Sequence, residues 1–210
     1  LLERIARTSP DELAPSLGLA VAALAEDRTD LPYADTARYL RLTQLTGNFK
    51  TVLRSIYSAL SNRGGLSLFL DLDMGSGKTH LLTLILHLYA ACPEAPEAYQ
   101  PLLEEYVRER CYSSELAKNT LVLAFDLRTP GEVYRSPLKL LARQLKRVGA
   151  KDSVVDTVRG YAEKGAQPDP QWLAETIPAD KHVIVLVDEL YHALIFAQRG
   201  EDLRTLESFI

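Results

Sequence analysis

The spacing of apolar residues divides the chain into alternating helical and strand-like stretches. Near the start, Ser9-Pro10-Asp11-Glu12 carries the marks of a helix N-terminus: Ser9 caps, Pro10 sits in the first turn and Glu12 reaches back to the cap amide. A mostly apolar helix to about Ala25 follows, is broken at Leu31-Pro32-Tyr33, and gives way to a second helix expected over 35–45. Phe49, Val52, Leu53, Ile56, Tyr57 and Leu60 then recur at helical spacing, with Thr46 or Asn48 as cap and Arg63-Gly64-Gly65 as stop. Residues 66–72 (LSLFLDL) form a short apolar run before a glycine-rich turn, the pattern of a buried parallel strand. Residues 78–91 are apolar on nearly every side and predict a buried helix packed on a sheet.

Residues 92–119 hold three prolines and a Glu/Arg-rich helical stretch over 102–110, and read as a solvated helical insertion. A second strand is expected over 120–127 (TLVLAFDL), and Ser136-Pro137 opens a helix that runs to Val148. The stretch 150–180 is polar and punctuated by Pro168, Pro170 and Pro178. After it comes the most apolar strand, 182–187 (HVIVLV), running into Asp188-Glu189 and a final helix. Strands alternating with helices predict an α/β fold with a parallel sheet. Residues 1–62 form a helical segment leading into a core over 63–210, with 92–119 inserted in it.

Composition narrows the class without deciding it. At 210 residues, 47% hydrophobic and 25% charged, the chain has the make-up of a folded protein that needs no disulfide or metal staples. A net charge of −4 and a pI near 5.6 exclude a surface coated in basic charge, though not a local basic patch. The two cysteines, Cys92 and Cys111, form no C-x-x-C pair, which points to a reducing, cytoplasmic setting. The longest apolar run, 81–92, is well short of the ~20 residues of a membrane span, so no membrane partner is expected. The chain opens on Leu1 rather than methionine, which suggests part of a longer gene product.

The chemistry concentrates where the first expected strand meets its helix. Met74, Gly75, Ser76, Gly77, Lys78, Thr79 and His80 stand where backbone N–H groups and a helix dipole can cradle a phosphate chain. Gly75 and Gly77 supply backbone freedom, Lys78 would reach the β- and γ-phosphates, and the Thr79 hydroxyl would bind Mg²⁺. Leu72 stands where the full G-x-x-x-x-G-K-[ST] pattern has its first glycine. Downstream, Val183-Ile184-Val185-Leu186-Val187 delivers Asp188 and Glu189 to the C-terminal end of a strand, the edge where ligands sit in open α/β sheets. Asp188 would hold magnesium through water and Glu189 would orient or deprotonate the attacking water. Alone, such an Asp-Glu pair also reads as a strand-to-helix cap.

Together these two motifs resemble the AAA-type (ASCE-class) branch of P-loop ATPases. MGSGKTHLLTLILHLY (74–89), YLRLTQLTGNF (39–49) and VLVDEL (185–190) are similar, more narrowly, to a prokaryotic predicted-ATPase family. That family is a domain of unknown function, number four hundred and ninety-nine. The family's usual core is Gly-Gly-Gly-Lys-Thr-His, from which Ser76 departs. The resemblance implies a P-loop NTPase core that binds ATP with Mg²⁺ and hydrolyses it, with Lys78 and Glu189 catalytic. It also implies the ATPase region of a larger protein whose later strands, γ-phosphate sensor, arginine finger and lid follow Ile210. Members tend to be encoded beside DNA methyltransferases and phage-defence components, so DNA or RNA and such proteins are the expected partners, and a homo-oligomer is compatible with the fold. Two other readings compete: a nucleotide-bound switch or scaffold without significant turnover, and a small-molecule phosphotransferase, against which the Asp-Glu pair argues.

Secondary candidates carry two readings each. Asp126 and Arg128 follow the second strand and would reach either nucleotide-bound water or a partner, or simply cap their own turn. Thr43, Thr46 and Phe49 either pack on a base or complete the core. His80, His87, His182 and His192 lack metal-ligand spacing and are expected in structural roles. Lys139, Arg143, Lys146 and Arg147, flanked by Arg135 and Lys151, form a basic stripe, either a solvated helix face or a contact for an anionic polymer.

Overall fold

The computed structural model of the chain describes residues 16–28, 34–70, 77–128 and 133–190. Helix α1 (Leu17–Ala25) starts where the Ser16 hydroxyl accepts the Leu19 amide and buries Leu17, Ala20 and Val21; the expected start at Ser9 lies outside the described residues. Helix α2 (Thr36–Leu42), capped by Asp35, stops before Leu45 because Thr43 turns extended and donates its hydroxyl to the Tyr39 carbonyl. Helix α3 (Gly47–Ser61), capped by Thr46, buries Leu53, Ile56 and Leu60 as the spacing predicts.

The strand expected over 66–72 is not formed in its described part. Residues 64–70 have no regular structure, and Leu66, Leu68 and Phe69 stand 45%, 46% and 86% exposed. An apolar run becomes a strand only beside a hydrogen-bonding neighbour, and among the described residues this one has none. Helix α4 (Lys78–Leu86) continues through a widened π turn (His87–Ala91) and a short 3₁₀ turn (Cys92–Glu94), almost wholly buried from Leu81 onward.

The segment read as a solvated insertion is half core. Helices α5 (Pro96–Arg108) and α6 (Ser114–Lys118) keep their charges outside, while Leu103, Tyr106, Cys111, Tyr112 and Ala117 enter the main core with Cys92. Strand β1 (Thr120–Asp126) and helix α7 (Arg135–Arg147) fall as expected. The polar stretch that follows hides two helices, α8 (Asp152–Lys164) and α9 (Pro170–Thr176). Helix α8 exists because Val155, Val158 and Ala162, at helical spacing among charges, pack on α7. Pro170 opens α9 at its first turn, with Asp169 as cap, rather than breaking it. Strand β2 (His182–Asp188) returns beside β1. The final helix expected after Glu189 lies outside the described residues beyond Leu190.

Strands β1 and β2 pair in parallel, from Thr120 opposite His182 to Asp126 opposite Asp188. Their side chains alternate between two apolar layers. Val122, Ala124, Ile184 and Leu186 face the core built by α1 to α5, whereas Leu121, Leu123, Phe125 and Val187 face α7 and α8. The fold is thus mixed α/β, a small parallel sheet between helical layers, the covered arrangement that parallel strands require. No helix among the described residues is long and apolar enough to cross a membrane.

The two edges of the sheet differ. Val122 presents its amide and carbonyl to Gln144 of α7, whose side chain accepts from the amide at 2.8 Å and donates to the carbonyl at 2.9 Å. Arg147 adds a bond to the Thr120 carbonyl at 3.0 Å. Two side chains of one helix thereby close the outer edge of β1 as a further strand would. On β2, Val183 and Val185 remain 38% and 55% exposed. Replacing the fully buried Gln144 by leucine strips two buried backbone groups of their partners, each worth ~1 to 3 kcal/mol when left unpaired. Gln144→Leu is therefore expected to lower stability by about 2 to 6 kcal/mol, read as a fall in the denaturant midpoint at unchanged m-value.

Candidate functional site

The register of the sheet carries two aspartates, Asp126 and Asp188, to neighbouring positions at its C-terminal edge. Both are buried, and each has its own set of donors. Asp188 accepts the Thr79 hydroxyl on Oδ2 at 2.8 Å and the Glu189 amide on Oδ1 at 3.0 Å. Thr79 lies in the first turn of α4, so this bond joins the start of that helix to the end of β2 across 109 residues of sequence. Glu189 follows with φ at +60°, a left-handed backbone rare for any residue but glycine.

Asp126 is held by the opposite end of the chain. Its Oδ2 accepts the Ser16 hydroxyl at 3.1 Å and the Gly18 amide at 3.2 Å, so the carboxylate sits at the N-terminus of α1 where helix dipole and unpaired amides favour it. Arg128 grips the same carboxylate, with Nε on Oδ1 at 2.9 Å and one terminal nitrogen on Oδ2 at 2.5 Å. Burial alone would raise the Asp126 pKa; the bonds from the Arg128 side chain and amide and from the Gly18 amide outweigh it and hold the carboxyl below its usual range. Arg128 also donates to Ser16 at 2.9 Å and places its other terminal nitrogen 3.9 Å from the Glu189 carboxylate. Asp126 thus caps its own turn, as one of its two readings had it, and also anchors α1.

Of the expected phosphate cradle, Gly77, Lys78, Thr79 and His80 are among the described residues. Gly77 has φ at +87°, and a Cβ there would stand 3.6 Å from the Phe49 ring, so glycine is required on backbone grounds. Lys78 and Thr79 follow in the first helical turn. Met74, Gly75 and Ser76 lie outside the described residues. The His80 side chain is taken up by α2 and α3: its ring stacks on Tyr39 at 4.8 Å and Phe49 at 5.9 Å, and its Nε2 pairs with the Thr43 hydroxyl at 3.0 Å. Because that hydroxyl's proton goes to the Tyr39 carbonyl, Nε2 is the donor. Burial lowers the His80 pKa, in keeping with this neutral form. Tyr39 stacks on His87 as well, at 4.7 Å, and donates its hydroxyl to the His80 carbonyl at 2.8 Å. His80, Thr43 and Phe49 therefore tie α4 to the helices before it.

The hard oxygen ligands that magnesium prefers, a hydroxyl and a carboxylate, meet at Thr79 and Asp188. Among the described residues no group of three or more His, Cys, Asp or Glu is arranged to hold a metal ion, so a cation here would take its remaining ligands from phosphate and water, which is how Mg²⁺ is ordinarily held at such sites. The basic stripe of α7 is largely spent within the chain. Lys139 pairs with Glu26, Arg143 with Asp27 and Glu94, and Arg147 with the carbonyls of Lys118 and Thr120. Sequence reasoning gave no hint of Ser16, Gly18 or Gln144. A serine before an apolar run signals a helix cap, but nothing local announces a carboxylate 110 residues away.

Comparison with known proteins found no family model, no curated protein and no solved structure that matches the chain. The resemblance to AAA-type ATPases therefore rests on the motif residues of the sequence. Because the Asp126 carboxyl is held low in the fold, its contribution is complete above the unfolded value near ~4 and is lost as pH falls through the lower folded value. Asp126→Asn is expected to cost ~1.5 to 3 kcal/mol at pH 7, with the gap to the parent narrowing in unfolding curves recorded from pH 4 downward. A gap independent of pH would show that the charge is not what anchors α1.

Proposed function

We propose that the chain binds ATP with Mg²⁺ and hydrolyses it as a P-loop ATPase module of a larger protein, acting with nucleic acid in DNA modification or phage defence. The bond between Thr79 and Asp188 carries the proposal: a hydroxyl at the start of a helix and a carboxylate at the end of a strand, both expected from the sequence as magnesium ligands, lie 2.8 Å apart. In this reading Lys78 neutralises the β- and γ-phosphates, and Thr79 with Asp188 holds the cation that accompanies them. Glu189 takes a proton from water as its oxygen bonds to the γ-phosphorus and the bond to the ADP oxygen breaks. The cation supplies charge neutralisation on the phosphates when bound.

The nucleotide site is tested first by binding. Lys78→Ala removes a charge-assisted contact worth ~1.5 to 3 kcal/mol, so ATP affinity by calorimetry should fall about 10- to 150-fold. Equal affinity in parent and variant would remove the reading. Glu189→Gln keeps the shape of the side chain but cannot accept a proton, so binding should persist while turnover collapses. Asp188→Asn should instead raise the magnesium concentration needed for binding. Undiminished turnover in Glu189→Gln would favour the switch or scaffold over the hydrolase.

A further inference from the structure

Helix α1 and Glu189 stand at opposite ends of the described chain, yet one line of polar contacts joins them. It runs from Ser16 and the Gly18 amide to Asp126, from Asp126 to Arg128, and from Arg128 to the Glu189 carboxylate. We infer that Arg128 is a positioning residue for Glu189, and that its own position is set by helix α1 through Asp126. The functional meaning of this coupling rests on the proposed role of Glu189 in activating water; the coupling itself does not.

Three observations carry the inference. The α1 backbone lies so close to Asp126 that a Cβ on Gly18 would stand 3.0 Å from the aspartate Cβ and 3.2 Å from Oδ2, so a side chain there must push α1 and the carboxylate apart. Arg128 is planar, and its Nε and one terminal nitrogen are both fixed on Asp126; a shift of that carboxylate must swing the remaining nitrogen, the one facing Glu189. Glu189 itself sits at φ +60°, a conformation that costs ~1 to 2 kcal/mol for a residue with a side chain and persists only where its surroundings impose it. Among the neighbours that hold it are Asp188, which accepts its amide, and Arg128, which faces its carboxylate. The arrangement therefore restrains Glu189 for as long as α1 stays seated, and movement of α1 releases it.

The coupling can be read without turnover, from the backbone amide resonance of Glu189 in the chain as it stands. Gly18→Ala, which touches no residue of the nucleotide site, should displace that resonance. The same substitution made together with Arg128→Lys should displace it at least about threefold less, because a single ammonium cannot span both carboxylates as the guanidinium fork does. Should Gly18→Ala fail to fold, Ser16→Ala, which removes the hydroxyl donor, serves in its place. An unmoved Glu189 resonance, or one moved equally with lysine at 128, overturns the inference. In the hydrolysis assay Gly18→Ala should raise kcat with ATP affinity unchanged, and a lowered kcat would contradict the restraint. Failure of Lys78→Ala to weaken ATP binding would remove the ATPase reading and leave the resonance test valid, so the two failures are distinguishable.

Discussion

Two buried carboxylates at adjacent positions of a parallel sheet set the terms for everything around them. Neighbouring strands lie close to ~5 Å apart, and two like charges at that distance repel by about 3 kcal/mol even at an effective dielectric near 20. Asp126 and Asp188 share an edge only because each is satisfied by different donors. One takes a helix N-terminus and an arginine, and the other takes a hydroxyl and the amide of the next residue. The donors come from α1, the turn after β1, the start of α4 and the end of β2, so four separated segments converge because that edge must be neutralised. The apolar layers supply most of the stability, but the polar edge decides which helix ends meet.

The same economy of donors appears at the side of the sheet. A parallel strand cannot leave its amides unpaired in an apolar layer, and β1 solves this with Gln144 rather than with a strand. The cost is that α7 must sit at one depth and one rotation against β1. That placement in turn draws Arg147 to the Thr120 carbonyl and Arg143 to Asp27 and Glu94. Within the stripe that reads from sequence as either a solvated face or a contact for an anionic polymer, Lys139, Arg143 and Arg147 also register α7 on the sheet and on α1.

What the sequence made legible follows the range of the physics involved. Local signals held: a cap at Thr46, one of the two candidates, the apolar spacing of α3 and the apolar run of β1 need only neighbours a few residues away. The run at 66–70 failed because its strand character depends on a partner that no local pattern supplies. Helix α8 was overlooked for the reverse reason: three small apolar residues among many charges look like a loop until α7 offers a face to bury them. At the candidate site, Lys78, Thr79, Asp188 and Glu189 were readable as residue types fixed by chemistry. The contact between Thr79 and Asp188 is what the fold adds to them. Ser16, Gly18 and Gln144 act only through distant partners, so their roles begin at the tertiary level.

Glu189 shows why the two halves of the site cannot be treated as separate. A left-handed backbone directly after a strand turns the chain sharply, so that the amide of Glu189 folds back on Asp188 while its carboxylate is carried toward Arg128. Were the residue in an ordinary extended conformation, its side chain would alternate to the opposite face from Asp188 and lose that side of the edge. The strain is thus tied to placing two consecutive acidic side chains on one rim. The same turn that keeps Glu189 beside Asp188 exposes it to whatever moves Arg128, and Arg128 answers to the seating of α1.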